Sequence, residues 1–144
     1  MKNETWQKEF SIETEASAET IWKLFQDVPG WRQWNAGIES IEIDGPFAQG
    51  TWFSMTPPGE ETLRSLLIDV RENECFVDET RVGELVVRVA HRIERLGLHR
   101  SRVTYAVDAQ GQEAAVVGPM VAADFPEVLS ALAVRAETLS QRTH

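Results

Sequence analysis

The chain has 144 residues and carries 14 Lys and Arg against 23 Asp and Glu, a formal net charge of −9. This length suits one domain around one core, and the 42% hydrophobic and 26% charged residues are typical of a globular rather than a disordered chain. The acidic balance argues against nucleic acid and anionic membrane surfaces as partners, because both attract basic proteins.

The cysteine count and the apolar segments of the sequence bear on disulfides, metal centres, secretion and membrane insertion. Cys75 stands alone, so an internal disulfide and a multi-cysteine metal centre are excluded. Residues 1–10 contain no apolar core of a signal peptide. The charge-free apolar stretch 114–123 is shorter than the roughly 20 residues of a membrane span. We therefore expect one domain over residues 1–144 that is cytoplasmic and does not insert into a membrane.

The hydrophobic pattern predicts one strand, two short helices, six strands and one long helix, in that order. Alternation indicates strands, whereas apolar residues three and four apart indicate helices. Ser17 is a candidate N-cap for the first helix. Pro126 either kinks the last helix, whose apolar residues run over 121–139, or marks its start. The predicted strands are 5–14, 38–43, 51–56, 62–70, 75–81, 84–95 and 99–108, and the predicted short helices are 18–27 and 31–36.

The last two strands also allow a prediction of register. Opposed residues share a face, so the two apolar rows align only if the connecting loop has an odd number of residues. A three-residue loop, 96–98, would place His91 opposite Val103 and Glu94 opposite Arg100. The order of elements then predicts an α+β fold, in which a curved seven-stranded antiparallel sheet has its apolar face covered by the long C-terminal helix.

Six segments occur in a characteristic order along nearly the whole chain: 18–27, 31–35, 50–53, 91–94, 101–104 and 118–137. In that order they resemble the START-like superfamily, also called SRPBCC, and in particular its polyketide cyclase/dehydrase-type branch. The resemblance implies the helix-grip fold, with a cavity between the sheet and the C-terminal helix that often holds a small apolar ligand. Members include polyketide cyclases, lipid carriers, hormone receptors and chaperone co-factors, so the fold alone does not select a function.

Two polar residues on the predicted inner face are candidates for catalysis. His91 interrupts an apolar row and could act as a general acid or base, while Tyr105 on the next strand could orient an oxygen of a ligand. We expect the two to be near diagonal neighbours. The alternatives are a buried histidine satisfied by a neighbour and a tyrosine that only packs in the core.

Apolar residues predicted to face the same cavity form its candidate wall. Trp34 could stack on a flat ligand or could fasten a short helix to the sheet, and the helix stripe could equally be plain core. The three histidines show no metal-ligand spacing, and no glycine-rich phosphate loop is present, so we expect neither metal nor cofactor. The candidate ligand-binding residues are Trp34, Trp52, Phe53, Leu66, Ile68, Phe76, Val87, Val89, His91, Val103, Tyr105, Phe125, Leu129 and Leu132.

Three functions remain open at this point. The first is binding of a small hydrophobic molecule, aromatic, polyketide-like or lipid. The second is a cyclase, dehydratase or aromatase in which His91 moves the proton. The third is a protein-interaction module, as in a chaperone or stress co-factor, which would need an exposed patch rather than a pocket. Either a monomer or a homodimer is compatible with the sequence.

Overall fold

A computed structural model describes residues 4–142 of the chain. Its strands are β1 (Thr5–Thr14), β2 (Ser40–Ile43), β3 (Trp52–Thr56), β4 (Leu63–Arg71), β5 (Cys75–Val82), β6 (Leu85–Gly97) and β7 (Arg100–Gln110). Its α-helices are α1 (Ala18–Gln26), α2 (Ala114–Ala122) and α3 (Phe125–Arg142), and a short 3₁₀ helix follows α1 at Val28–Gln33.

The seven strands form one antiparallel sheet in the order β1-β7-β6-β5-β4-β3-β2. The first strand therefore pairs with the last, and α3 packs beside β1 across the sheet. This arrangement confirms the helix-grip fold expected from the sequence. The predicted second short helix, 31–36, is instead a 3₁₀ turn that starts three residues earlier.

Local sequence explains where the first helix begins and ends. The Ser17 hydroxyl accepts a hydrogen bond from the Thr20 amide at 3.1 Å, which satisfies one of the free N–H groups of the first turn. Pro29 follows shortly after and cannot continue an α-helix. Between these limits α1 buries Ile21 and Phe25 against the core.

The predicted C-terminal helix is two helices. The helix is interrupted at residues 123–124, between α2 and α3. Pro126 lies in the first turn of α3, where its missing N–H costs no intrahelical hydrogen bond. Pro126 thus marks a helix start rather than a kink. By length and composition, the stretch 114–141 of the described chain is long and apolar enough to span a membrane, with an 18-residue window of mean hydropathy 1.4. The stretch is interrupted in the middle; 28% of that window is buried, and Leu129, Leu132 and Ala136 pack in the core.

The β6–β7 hairpin differs from its predicted register by two residues. His91 pairs with Tyr105 and Glu94 pairs with Arg102, rather than with the predicted Val103 and Arg100. The strands are joined by a two-residue turn, and a bulge at Leu96 restores the match of the apolar rows. The sequence correctly predicted which residues of β6 and β7 share the inner face. It missed the bulge, which allows a two-residue turn to keep those residues on the same face.

A second bulge corrects the predicted inner face of β4. The pairing shifts between Leu67 and Asp69, which leaves Ile68 without a partner at the bulge. Leu67 is 0% exposed and faces the core, whereas Leu66 lies on the outer face beside Trp52. Trp52 is 42% exposed there. The predicted inward placement of Leu66, Ile68 and Trp52 is therefore not what the structure has.

Candidate functional site

An aromatic and polar row crosses the inner face of the sheet from β5 to β1. Phe76 pairs with His91, His91 with Tyr105, and Tyr105 with Phe10, so the four side chains stand side by side. Asp78 lies on the same face of β5 in the next row, opposite Val89. The pairing thus brings the two predicted polar residues together more directly than the sequence suggested, and it adds a carboxyl group.

These polar groups lie where the hydrophobic core divides in two. One cluster contains Phe25, Phe76 and Leu132, and the other contains Val87, Val107 and Ala122. We call the boundary, defined by Asp78, His91 and Tyr105, the polar seam. A core that divides at a row of titratable side chains differs from ordinary apolar packing, in which polar groups are excluded or fully hydrogen-bonded.

The imidazole of His91 is held in one orientation. Its ring stacks on Phe76, with centroids 3.9 Å apart and planes within 7°. Its Nδ1 lies 3.3 Å from the Phe76 carbonyl oxygen, which can only accept, so Nδ1–H is the donor. The Nε2 atom lies 3.9 Å from Asp78 Oδ2, too far for a direct hydrogen bond. Burial lowers the pKa of His91 to about 3, so the ring is neutral at neutral pH.

Asp78 is the functional candidate that the sequence analysis missed. Its side chain is only 13% exposed, and burial raises the pKa of its carboxyl group to about 7. No described residue forms a hydrogen bond with this carboxyl, and His91 Nε2 is its nearest basic group. The available signal was alternation: Asp78 is two residues from Phe76 on the same strand and therefore shares its inner face.

Tyr105 is buried, yet its hydroxyl has no hydrogen-bond partner among residues 4–142. The ring meets His91 edge-on at 4.5 Å and Phe125 at 5.3 Å. Burial raises the pKa of the phenol, and the negative charges of Asp78 and Asp124 raise it further. Asp124 lies at the α2–α3 junction, where partial burial raises the pKa of its own carboxyl. The phenol is therefore neutral, and its oxygen bonds to no described residue but is not fully sealed from solvent.

The other predicted wall residues divide into two groups. Trp34 is buried against Phe25 and Trp31, and its Nε1 has no hydrogen-bond partner among the described residues. Phe125 is half-buried at the start of α3. The remaining inward residues are buried in the two clusters, and their contact with a ligand stays a prediction: Phe53, Phe76, Val87, Val89, Val103, Leu129 and Leu132.

The cavity implied by the resemblance is not among the two best-defined depressions of the described surface. One groove of about 340 Å³ lies on the outer face of the sheet, with Ala90 and Ala106 in its lining. The other, of about 450 Å³, lies between Gln33 and α3. Where the cavity was expected, the rings of Phe76, Tyr105 and other aromatic residues meet instead. No group of three or more potential metal ligands occurs within residues 4–142.

Comparison with known proteins assigns the family. A model of the polyketide cyclase / dehydrase and lipid transport family matches residues 5–137. No curated protein matches the sequence. The solved structure of the Zhui aromatase/cyclase from Streptomyces sp. R1128 is similar with a TM-score of 0.79 at 19% identity, over 93% of this chain and 94% of that one.

Two further solved structures show the same fold. Norcoclaurine synthase from Thalictrum flavum, a point mutant in complex with a transition-state analogue, has a TM-score of 0.76 at 15% identity, over 96% of this chain and 98% of that one. A START superfamily protein from Mycobacterium smegmatis has a TM-score of 0.75 at 20% identity, over 92% and 98%. With the family model matching nearly the whole chain, this protein belongs to the polyketide cyclase / dehydrase and lipid transport family.

Proposed function

We propose that the protein binds a small, mainly apolar molecule whose hydroxyl or carbonyl group lies against the polar seam. The observation that carries this proposal is that the Tyr105 phenol and the Asp78 carboxyl lie on the inner face of the sheet, largely buried, and form no hydrogen bond with the described residues. A ligand oxygen that bonds to one of them there would gain about 0.5–1.5 kcal/mol. Family membership and the similar enzymes support a small-molecule partner more than an interaction module.

The seam offers a complete set of partners to one ligand oxygen. Tyr105 can donate, His91 Nε2 can accept, and the Asp78 carboxyl can do either according to its protonation. The two hydrophobic clusters on either side provide apolar walls for the remainder of the molecule. Phe125, at the start of α3, packs on both Tyr105 and Phe10, and in this proposal its ring moves aside to admit the ligand.

Two probes of equal size test the proposal. 2-Naphthol and naphthalene differ by one hydroxyl, and quenching of tryptophan fluorescence measures the affinity of each. We expect 2-naphthol to bind about fivefold to tenfold more tightly, the value of one hydrogen bond. Tyr105→Phe should abolish most of this difference and retain the fold, because the removed hydroxyl has no protein partner. An unchanged ratio in the variant, or no saturable binding of either probe, would refute the proposal.

A second candidate function is acid–base catalysis on such a ligand. Asp78, with its pKa of about 7, suits proton transfer at neutral pH better than His91, whose pKa of about 3 makes it a weak base. In this function Asp78 takes a proton from carbon next to a ligand carbonyl, and the electron pair moves to the carbonyl oxygen, where Tyr105 donates a hydrogen bond. In this proposal Asp78 takes the proton-carrying role that the sequence predicted for His91.

Hydrogen–deuterium exchange of 2-tetralone in D₂O tests this second function, because the reaction needs only removal and return of the proton next to the carbonyl. We expect the protein to accelerate exchange and Asp78→Asn to abolish the acceleration while 2-naphthol still binds. Equal rates with and without protein would leave binding as the function. Equal acceleration by Asp78→Asn would assign the proton transfer elsewhere and refute the role of this carboxyl.

A further inference from the structure

The groove between the 3₁₀ helix and α3 contains an arginine without an acidic partner. Arg135 Nη2 donates to the neutral amide oxygen of Gln33 at 3.0 Å, and no carboxylate within residues 4–142 pairs with it. On the sheet surface the arginines instead meet carboxylates; Arg95 with Glu19 is one such pair. In the described chain Arg135 and Arg32 have no carboxylate partner, and of these two only Arg135 lines the groove.

The same arginine has an unsatisfied hydrogen-bond donor. Arg135 Nε is buried and has no acceptor among the described residues. Because this group can only donate, what would satisfy it is an acceptor.

An open groove lies next to this guanidinium. Its volume is about 450 Å³, and α3 contributes Ser130, Ala131, Val134, Arg135 and Thr138, which recur at helical spacing on one face. Val134 is 63% exposed and offers an apolar surface beside the guanidinium. The Thr138 hydroxyl donates its proton to the Val134 carbonyl, so it cannot also donate to a ligand. Arg135 is the charged residue that lines the groove.

We propose that this groove binds the carboxylate of a small aromatic or aliphatic acid, at a site separate from the polar seam. The planar guanidinium matches a carboxylate in geometry and charge. The carboxylate replaces or joins Gln33 as the acceptor for Arg135, and the body of the acid lies on Ala131 and Val134. Because a single cation in an open groove holds the anion, binding weakens as salt is added.

Benzoate and its neutral analogue benzamide test the proposal. Two-dimensional NMR of the ¹⁵N-labelled protein follows the Arg135 Nε–H resonance during titration with each probe. We expect benzoate to shift this resonance saturably with a Kd on the order of 1 mM, and benzamide to bind at least about tenfold more weakly. The peak is assigned by its absence in Arg135→Met.

Two variants of opposite character should each abolish benzoate binding. Arg135→Met removes the cation, whereas Gln33→Glu supplies an internal carboxylate that occupies it. Arg32→Met is the matched control, because it removes one positive charge from the same turn but does not line the groove. Equal shifts with benzoate and benzamide, equal loss in the Arg32 control, or no saturable shift would overturn the proposal. Retained binding in Gln33→Glu would equally overturn it.

Discussion

Asp78 and His91 should make opposite contributions to the pH dependence of the free energy of unfolding, and in the native protein the two contributions should cancel at mildly acidic pH. Burial holds the pKa of His91 at about 3 instead of its ordinary 6.5, so the unfolded chain binds this proton more readily and stability falls as pH decreases from 6.5. Burial holds the pKa of Asp78 at about 7 instead of 3.8, so the folded chain binds that proton more readily and stability falls as pH rises from 3.8 through 7.

The magnitude follows from counting protons between about pH 4.5 and about pH 6. In this window the folded pair holds one proton, on Asp78, and the unfolded pair also holds one, on His91. The pair therefore contributes almost no slope. In Asp78→Asn only the histidine remains, and the free energy of unfolding should fall by about 1.4 kcal/mol for each pH unit of acidification. His91→Gln should show the opposite slope of similar size.

Urea unfolding at several pH values in this window measures both slopes. Each variant is compared with the native protein at the same pH, so the titration of all other groups cancels. We expect the difference from the native protein to change by about 2 kcal/mol across the window, with opposite signs for the two variants. Parallel curves for all three proteins would show that neither group is buried in the folded state, and the polar seam would then be refuted.

Two further predictions concern the core and use paired variants. Leu67→Ala should lower the free energy of unfolding by about 2–5 kcal/mol, because Leu67 is buried in the core. Leu66→Ala, on the outer face, should lower it by less than about 1 kcal/mol. Equal losses for the two variants in urea unfolding would refute the bulged register of β4. Gly118→Ala should destabilise by about 1–3 kcal/mol although alanine favours helices, because its Cβ would lie 2.4 Å from the Trp6 ring, while Gly97→Ala has room and should stay within about 1 kcal/mol. A thermal melt in which the Gly118 variant is the more stable of the two would contradict the packing of α2 on β1.

Hydrophobic periodicity predicted the order of the elements and most of the inner face. Alternation is read within one strand, and a helical stripe within one helix, so neither needs knowledge of the rest of the fold. That is why Phe76, Val89 and Val103 were placed correctly as inward residues. The rule that opposed residues share a face also held, since the apolar rows of β6 and β7 align.

The errors in strand register lie at bulges, where one extra residue changes which residues of the strand face the core. At Ile68 the alternation of β4 reverses, which exchanges the inward role of Leu66 for that of Leu67. At Leu96 the extra residue lets a two-residue turn replace the predicted three-residue loop. Nothing in the local composition distinguishes a bulged residue in an apolar strand, because the bulge depends on the partner strand as well.

Asp78 was missed for a different reason, which also explains how the polar seam is tolerated. Pattern analysis assigns a carboxylate in a strand to solvent, since burial of an isolated charge is costly. The structure avoids that cost by burying a protonated acid beside a neutral imidazole at 3.9 Å, so neither group is charged at mildly acidic pH. Either residue alone would make stability depend on pH in that range. Together, between about pH 4.5 and about pH 6, they keep a pair of proton-exchanging groups in an apolar core with almost no net pH dependence of stability.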